Sequence, residues 1–305
     1  MIDRSVSASG SFGPDIAGPD PDPRVPALRL PSGSCDAHCH VFGPLDRFPY
    51  AAHRPYTPPE APASALRALH DRLGLSRAVL VNATPYGGDN RIILDAIAGS
   101  GGAWRGVATL APDVSDDDLT RLADGGVDGC RVTFLGRLGA RPDPDHLLRL
   151  ADRIAPLGWH LDLYLPAEAL SDAGRWLAAL PVPYVIDHMG VVDASRGIEQ
   201  PAFLRLCDLL EADPHCWVKL SGAERVSRTG PPFHDVVPFA RRLIEIAPDR
   251  VLWGTDWPHP NVPVMPNDAD LVDLVAVFAP DATTRRRLLV ENPTRLFRFE
   301  GARDK

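Results

Sequence analysis

Eight short runs of apolar, largely β-branched residues recur along this chain: CDAHCHVF, AVLVNA, WRGVATL, GCRVTFL, WHLDLYL, YVIDHM, CWVKLS and VLWGTD. Between them the apolar residues repeat with helical spacing, as in SALRALHDRL, NRIILDAIA, SDDDLTRLA, DHLLRLADRI, EALSDAGRWLAAL, PAFLRLCDLLEA and VVPFARRLIEIA, many led in by Ser, Asp or Pro. Near-continuous apolar runs suit strands covered on both faces, and a helix after each strand makes the strands parallel. An open doubly wound sheet would carry a Gly-rich phosphate turn after its first strand, whereas the first run here continues as HCHVFGP. The expected architecture is therefore a (β/α)8 TIM barrel, for which 305 residues are ample.

Residues 1–30, with the stretch GPDIAGPDPDPRVP, hold too little apolar surface to offset chain entropy and are expected to form a flexible N-terminal arm. Residues 31–305 form the barrel domain, with the Pro-rich segment DRFPYAAHRPYTPPEAP as a loop over its mouth. The 32 basic and 40 acidic residues give a net charge of −8 with no block of like charge, which excludes nucleic acid and an anionic membrane as partners. Five cysteines, Cys35, Cys39, Cys130, Cys207 and Cys216, mostly lie in apolar runs and read as buried free thiols of a reducing compartment. No basic-then-apolar leader and no apolar run of about 20 residues is present, so a cytoplasmic location is expected. Homo-oligomerisation is left open.

In such a barrel the chemistry sits at the C-terminal ends of the strands. Run one ends in His38-Cys39-His40, whose i, i+2 spacing sends both imidazoles to one face. Run six ends in Asp187-His188 and run eight in Thr255-Asp256, followed by Trp257-Pro258-His259. Three histidines and an aspartate gathered at one mouth are a set able to activate water and to stabilise the oxyanion it creates. Asp36 is expected deeper on the same face as His38, and Asp187 on the face opposite His188, which leaves Asp256 as the general base. Arg131 stands inside an apolar run, where an unpaired guanidinium is costly, and so is expected to face the pocket.

The motifs CDAHCHVFGP, FPYAAHRPYTP, VIDHMG and WGTDWPHPN resemble those of the amidohydrolase superfamily, in particular the pyrone-dicarboxylate lactonases and related lactone hydrolases, from about Cys35 to the ENPTRLF motif. The resemblance implies a hydrolase in which Asp256 takes a proton from water, while His38, His40 and His188 hold the water or polarise the scissile carbonyl. It further implies that Arg131, Arg137, Arg225, Tyr56 and Tyr164 grip the carboxylates of a small anionic lactone, with Thr84 and His259 near the substrate. Tyr164 and Arg131 stand where better-known relatives carry a metal-binding histidine and a bridging lysine or glutamate, so no metal is expected to be required. If a metal binds, His38, His40, His188 and Asp256 are the ligands of a single Zn2+.

The run KLSGAERVS leaves the lactone open among pyrone dicarboxylates, muconolactones (a sulfonated one included) and sugar-acid lactones. The alternatives are a metal-dependent decarboxylase of the same superfamily, a sugar-acid lactonase or isomerase, and a non-catalytic carboxylate-binding protein.

Overall fold

A computed structural model describes residues 13–138 and 142–299. The eight runs form strands β1 (Cys35–Cys39), β2 (Arg77–Val81), β3 (Trp104–Ala108), β4 (Val127–Thr133), β5 (His160–Tyr164), β6 (Tyr184–Ile186), β7 (Cys216–Lys219) and β8 (Val251–Leu252). They pair in sequence order, all in parallel. Hydrogen bonds from Ala37 N–H to Trp253 O (2.9 Å) and from Asp256 N–H to His38 O (2.8 Å) close β8 onto β1. The result is a (β/α)8 barrel.

The helices are α1 (Ala63–Leu73), α2 (Arg91–Ala98), α3 (Asp116–Asp124), α4 (Pro144–Ile154), α5 (Leu170–Leu177), α6 (Pro201–Ala212), the single turn α7 (Ala223–Val226), α8 (Val237–Ile246), α9 (Asp268–Phe278), α10 (Ala282–Arg286) and α11 (Asn292–Leu296). Ser115 and Asp143 cap α3 and α4 by accepting from backbone N–H groups in the first turn.

Strand alternation divides the core. Ala78 and Leu80 of β2 pack outward among the helices, whereas Val79 and Val81 join Cys35, Ala37, Val107, Val185, Trp217 and Leu252 inside the barrel. Leu296, Phe297 and Phe299 complete this interior cluster. All five cysteines are buried free thiols. Among the described residues no helix is long and apolar enough to cross a membrane.

Residues 1–12 of the arm lie outside the described residues. From Gly13 on, the arm runs extended against the barrel domain. Gly13 N–H bonds Arg54 O at 2.9 Å, Ile16 N–H bonds Thr57 O at 3.0 Å, and Thr57 N–H bonds Pro14 O at 2.8 Å. Further along, Arg24 pairs with Asp270 and Asp273 of α9 at 2.6 and 2.7 Å. Proline removes donors without preventing such spaced contacts, and extended backbone is what it favours.

Candidate active site

The strands stop where the site begins. In β1 the pairing register shifts between Asp36 and Cys39, a bulge that changes the phase of alternation. Ala37 belongs to the interior cluster, and His38 turns inward as well. Asp36 is thereby placed away from His38, a correction to the same-face expectation. Its Oδ1 accepts from the backbone N–H groups of His38 (3.1 Å) and Thr255 (3.0 Å), and its Oδ2 accepts from Thr255 Oγ1 (2.6 Å). His70 Nε2 of α1 lies 3.1 Å from that same Oδ2. Asp36 is a bracket fastening β1 to the segment that carries Asp256.

After β6 strand alternation predicts Asp187 on the face opposite His188, yet both turn inward: His188 lines the cavity, and Asp187 meets Arg131 Nε at 3.0 Å and His38 Nδ1 at 3.3 Å beneath it. His188, Met189 and Gly190 all take left-handed backbone angles (φ of 52°, 52° and 67°), which folds His188 back over the barrel end. Gly222 permits this. It has φ of +70°, and a Cβ there would lie 2.8 Å from His188 Nδ1. Gly254 likewise lies so close to β1 that a Cβ would meet His38 N at 2.5 Å.

These devices bring four groups together. His40 Nε2 is 3.2 Å and His38 Nε2 3.6 Å from Asp256 Oδ1, and His188 Nε2 is 4.0 Å from Asp256 Oδ2. All four are buried. His40 donates Nδ1–H to Val81 O at 2.7 Å, and His188 Nδ1 contacts Ser221 Oγ at 2.9 Å. A cavity of about 300 Å3, counting the space open to solvent, is lined by His40, Tyr56, Thr84, Arg131, Arg137, Leu138, Tyr164, His188, Arg225, Asp256, Pro260 and Asn261.

Most residues singled out from the sequence thus share one cavity, Arg137 at its exposed rim. His259 does not line it. Its Nε2 is 3.0 Å from Asp268 Oδ1 and its Nδ1 3.6 Å from Glu224 Oε1, fully buried behind the wall.

The charges are arranged in pairs. Arg225 directs Nε and one terminal nitrogen at Asp256 Oδ2, 2.5 Å each. Burial works against ionisation of Asp256, but the Arg225 guanidinium, followed by His188, His40 and His38, outweighs it and holds the carboxyl well below its usual range. Arg131 donates Nε–H to Asp187 Oδ2 at 3.0 Å and lies 4.7 Å over the Tyr164 ring, which leaves its terminal nitrogens for a ligand. Burial pushes His38 down to about 4 and His188 well below its ordinary value, so both imidazoles are neutral at pH 7. His259 is the opposite case: burial is overcome by Asp268 and Glu224, and its pKa is raised to about 10.

Sequence reasoning missed a second layer under the cavity. Lys219 of β7, fully buried, contacts Asp162 of β5, Asp187 at 3.2 Å and His38 Nδ1 at 3.2 Å. A lone lysine in CWVKL and a lone aspartate in HLDLY, each in phase with inward neighbours, were the available signals.

For a metal, His38, His40 and Asp256 offer ligand atoms within 4.8 Å of one another, and by donor type they fit one divalent ion. His38, Asp187 and His188 form a second such trio that shares His38. Positive charge is already supplied by Arg225, Arg131 and Lys219.

A parallel eight-stranded barrel with HxH, His and Asp at the ends of β1, β6 and β8 defines a class of hydrolytic barrels, and comparison with known proteins agrees. Residues 35–299 match the amidohydrolase family model, and the chain belongs to this family. It is 46% identical to a 2-pyrone-4,6-dicarboxylate hydrolase of Comamonas testosteroni, over 90% of this chain and 93% of the relative. It is 41% identical to a 4-sulfomuconolactone hydrolase of Hydrogenophaga intermedia, over 97% and 98%. Among solved structures, a candidate 2-pyrone-4,6-dicarboxylic acid hydrolase from Pseudomonas putida superposes with a TM-score of 0.79 at 32% identity, covering 90% of this chain and all of that one.

Proposed function

We propose that this protein hydrolyses the ring ester of a small anionic lactone, a pyrone dicarboxylate or a muconolactone, with Asp256 as general base. The observation that carries the reading is a buried, ionised carboxylate set among three imidazoles in a cavity whose other charged side chains are arginines. Relatives at 46% and 41% identity bear the names of hydrolases of such lactones, and those names support the substrate class.

A water between Asp256 and the lactone carbonyl gives its proton to Asp256 as its oxygen adds to carbon. Imidazole N–H groups of His38 and His188 donate to the carbonyl oxygen as charge develops there. The ring C–O bond then breaks, the leaving oxygen takes the proton from Asp256, and a new carboxylic acid remains. Arg131, Arg137 and Arg225, with Tyr56, Tyr164 and Thr84, hold the substrate's anionic groups.

The reaction in this reading requires no metal, because the charges named above already stabilise an anion. If a divalent ion is bound, His38, His40, His188 and Asp256 hold it, and it supplies Lewis-acid polarisation of the carbonyl.

The test is a hydrolysis screen over dicarboxylated pyrones, muconolactones, a sulfonated muconolactone and aldonolactones, followed by ultraviolet absorbance and acid release, before and after exhaustive chelation. Opening of an anionic pyrone or muconolactone, undiminished by chelation, is expected. No turnover of any of them overturns the reading, and activity restored only by zinc overturns its metal-free part.

A further inference from the structure

The neutral imidazole of His38 can carry its proton on either nitrogen, and only one tautomer donates into the cavity. The geometry points to Lys219 as a positioning residue that fixes His38 as the Nε2–H tautomer, so that this proton is presented to the scissile carbonyl; the catalytic consequence rests on the lactonase reading above.

An ammonium has three donors and no lone pair. Lys219 Nζ lies 3.2 Å from His38 Nδ1 in a hydrogen bond, so that nitrogen must accept. Asp187 Oδ1 lies 3.3 Å from the same Nδ1 but makes no hydrogen bond to it. Were the proton on Nδ1, two N–H groups would face each other in a site closed to water, with His38 and Lys219 both fully buried. His38 Nε2, by contrast, has no protein partner and stands 3.6 Å from Asp256 Oδ1, where the reacting group would sit.

Lys219 is held as the ammonium by its partners, with the carboxylates of Asp162 and Asp187 both against its Nζ, Asp187 at 3.2 Å. The layer also balances: Lys219 and Arg131 offset Asp162 and Asp187, and no charge is required of His38.

The test reads the tautomer directly, by 15N NMR of protein labelled with [15N]histidine, His38 being assigned by its loss in His38→Gln. Wild-type His38 is expected with the proton on Nε2. In Lys219→Met the proton moves to Nδ1, which then donates to Asp187, and kcat falls about 10² to 10³-fold with KM little changed, as for loss of one oxyanion donor. The charge-balanced double variant Lys219→Met with Asp162→Leu separates this role from simple stability, since it removes a buried pair as a unit. It is expected to fold, yet to keep the Nδ1–H tautomer and the low kcat. A wild-type spectrum with the proton on Nδ1 overturns the proposal even if neither variant folds, and so does a double variant with wild-type kcat. Because the spectrum needs no substrate, failure to open any lactone would strike the functional reading and leave the tautomer assignment intact.

Discussion

Asp256 in the unliganded protein is paired with Arg225 and held well below its ordinary pKa of 3.8. A depressed carboxyl is ionised above that value and becomes protonated as pH falls through its own lower pKa. The acidic limb of kcat/KM, which reports the free protein, is therefore expected below about pH 4. When a substrate carboxylate draws Arg225 away, the carboxyl loses its strongest stabiliser, and the limb of kcat is expected at higher pH than that of kcat/KM. Asp256→Asn keeps the shape but cannot take a proton, so kcat should fall about 10² to 10⁴-fold with the limb abolished while substrate still binds. Near-normal kcat in that variant would move the base elsewhere, His188 first.

His259 titrates in the other direction: its folded pKa of about 10 stands above the ordinary 6.5. The stabilisation this gives is complete below pH 6.5 and disappears as pH rises through 10. Thermal unfolding of wild type and His259→Gln from pH 6 upward checks this, the gap in Tm narrowing over that window. A constant gap would show that His259 is not cationic in the fold.

At the scale of elements, the strands and most helices were legible because each has one period: two for a strand, 3.6 for an amphipathic helix. α9 was not singled out, since Ala269, Leu271, Val272, Leu274, Val275 and Phe278 bury it on nearly every side and blur its period. The site was legible in its residues but not in all of its directions. His38, His40, His188 and Asp256 converge, yet the faces assigned to Asp36 and Asp187 rested on uninterrupted alternation, which the bulge in β1 and the left-handed turn after β6 break. Neither irregularity leaves a clear local mark, because each is imposed by the neighbour it packs against. Gly222 is such a neighbour for His188. Gly222→Ala combines a strained φ with a clash on the imidazole, and kcat should drop at least about 10-fold while the barrel stays folded by circular dichroism. Wild-type kcat in this variant would mean that the His188 position is not set by the close approach.

At the scale of the whole molecule, the arm and the mouth loop form one unit. Backbone hydrogen bonds tie Gly13 to Arg54 and both Pro14 and Ile16 to Thr57, and Tyr56 between these anchors lines the cavity. Removing residues 1–18 should leave the barrel intact and raise KM, with kcat changed far less, because Tyr56 is no longer held where substrate needs it. Unchanged steady-state constants would show that the loop keeps its shape unaided.

Leu296, Phe297 and Phe299 pack with the barrel interior at the end away from the site. Among the described residues these side chains plug that end of the barrel and leave the mouth as the way in and out. Ring opening turns one ester into one more carboxylate, so the product leaves more anionic than the substrate arrived, past Arg131, Arg137 and Arg225, the arginines proposed to hold the substrate. Entry and exit compete for the same cations, and product should inhibit competitively. Added salt should relieve that inhibition by screening the exposed Arg137 more than the partly buried Arg131 and Arg225. Progress curves run with added product at low and high ionic strength measure the effect, and curves indifferent to product would mean that release follows another path.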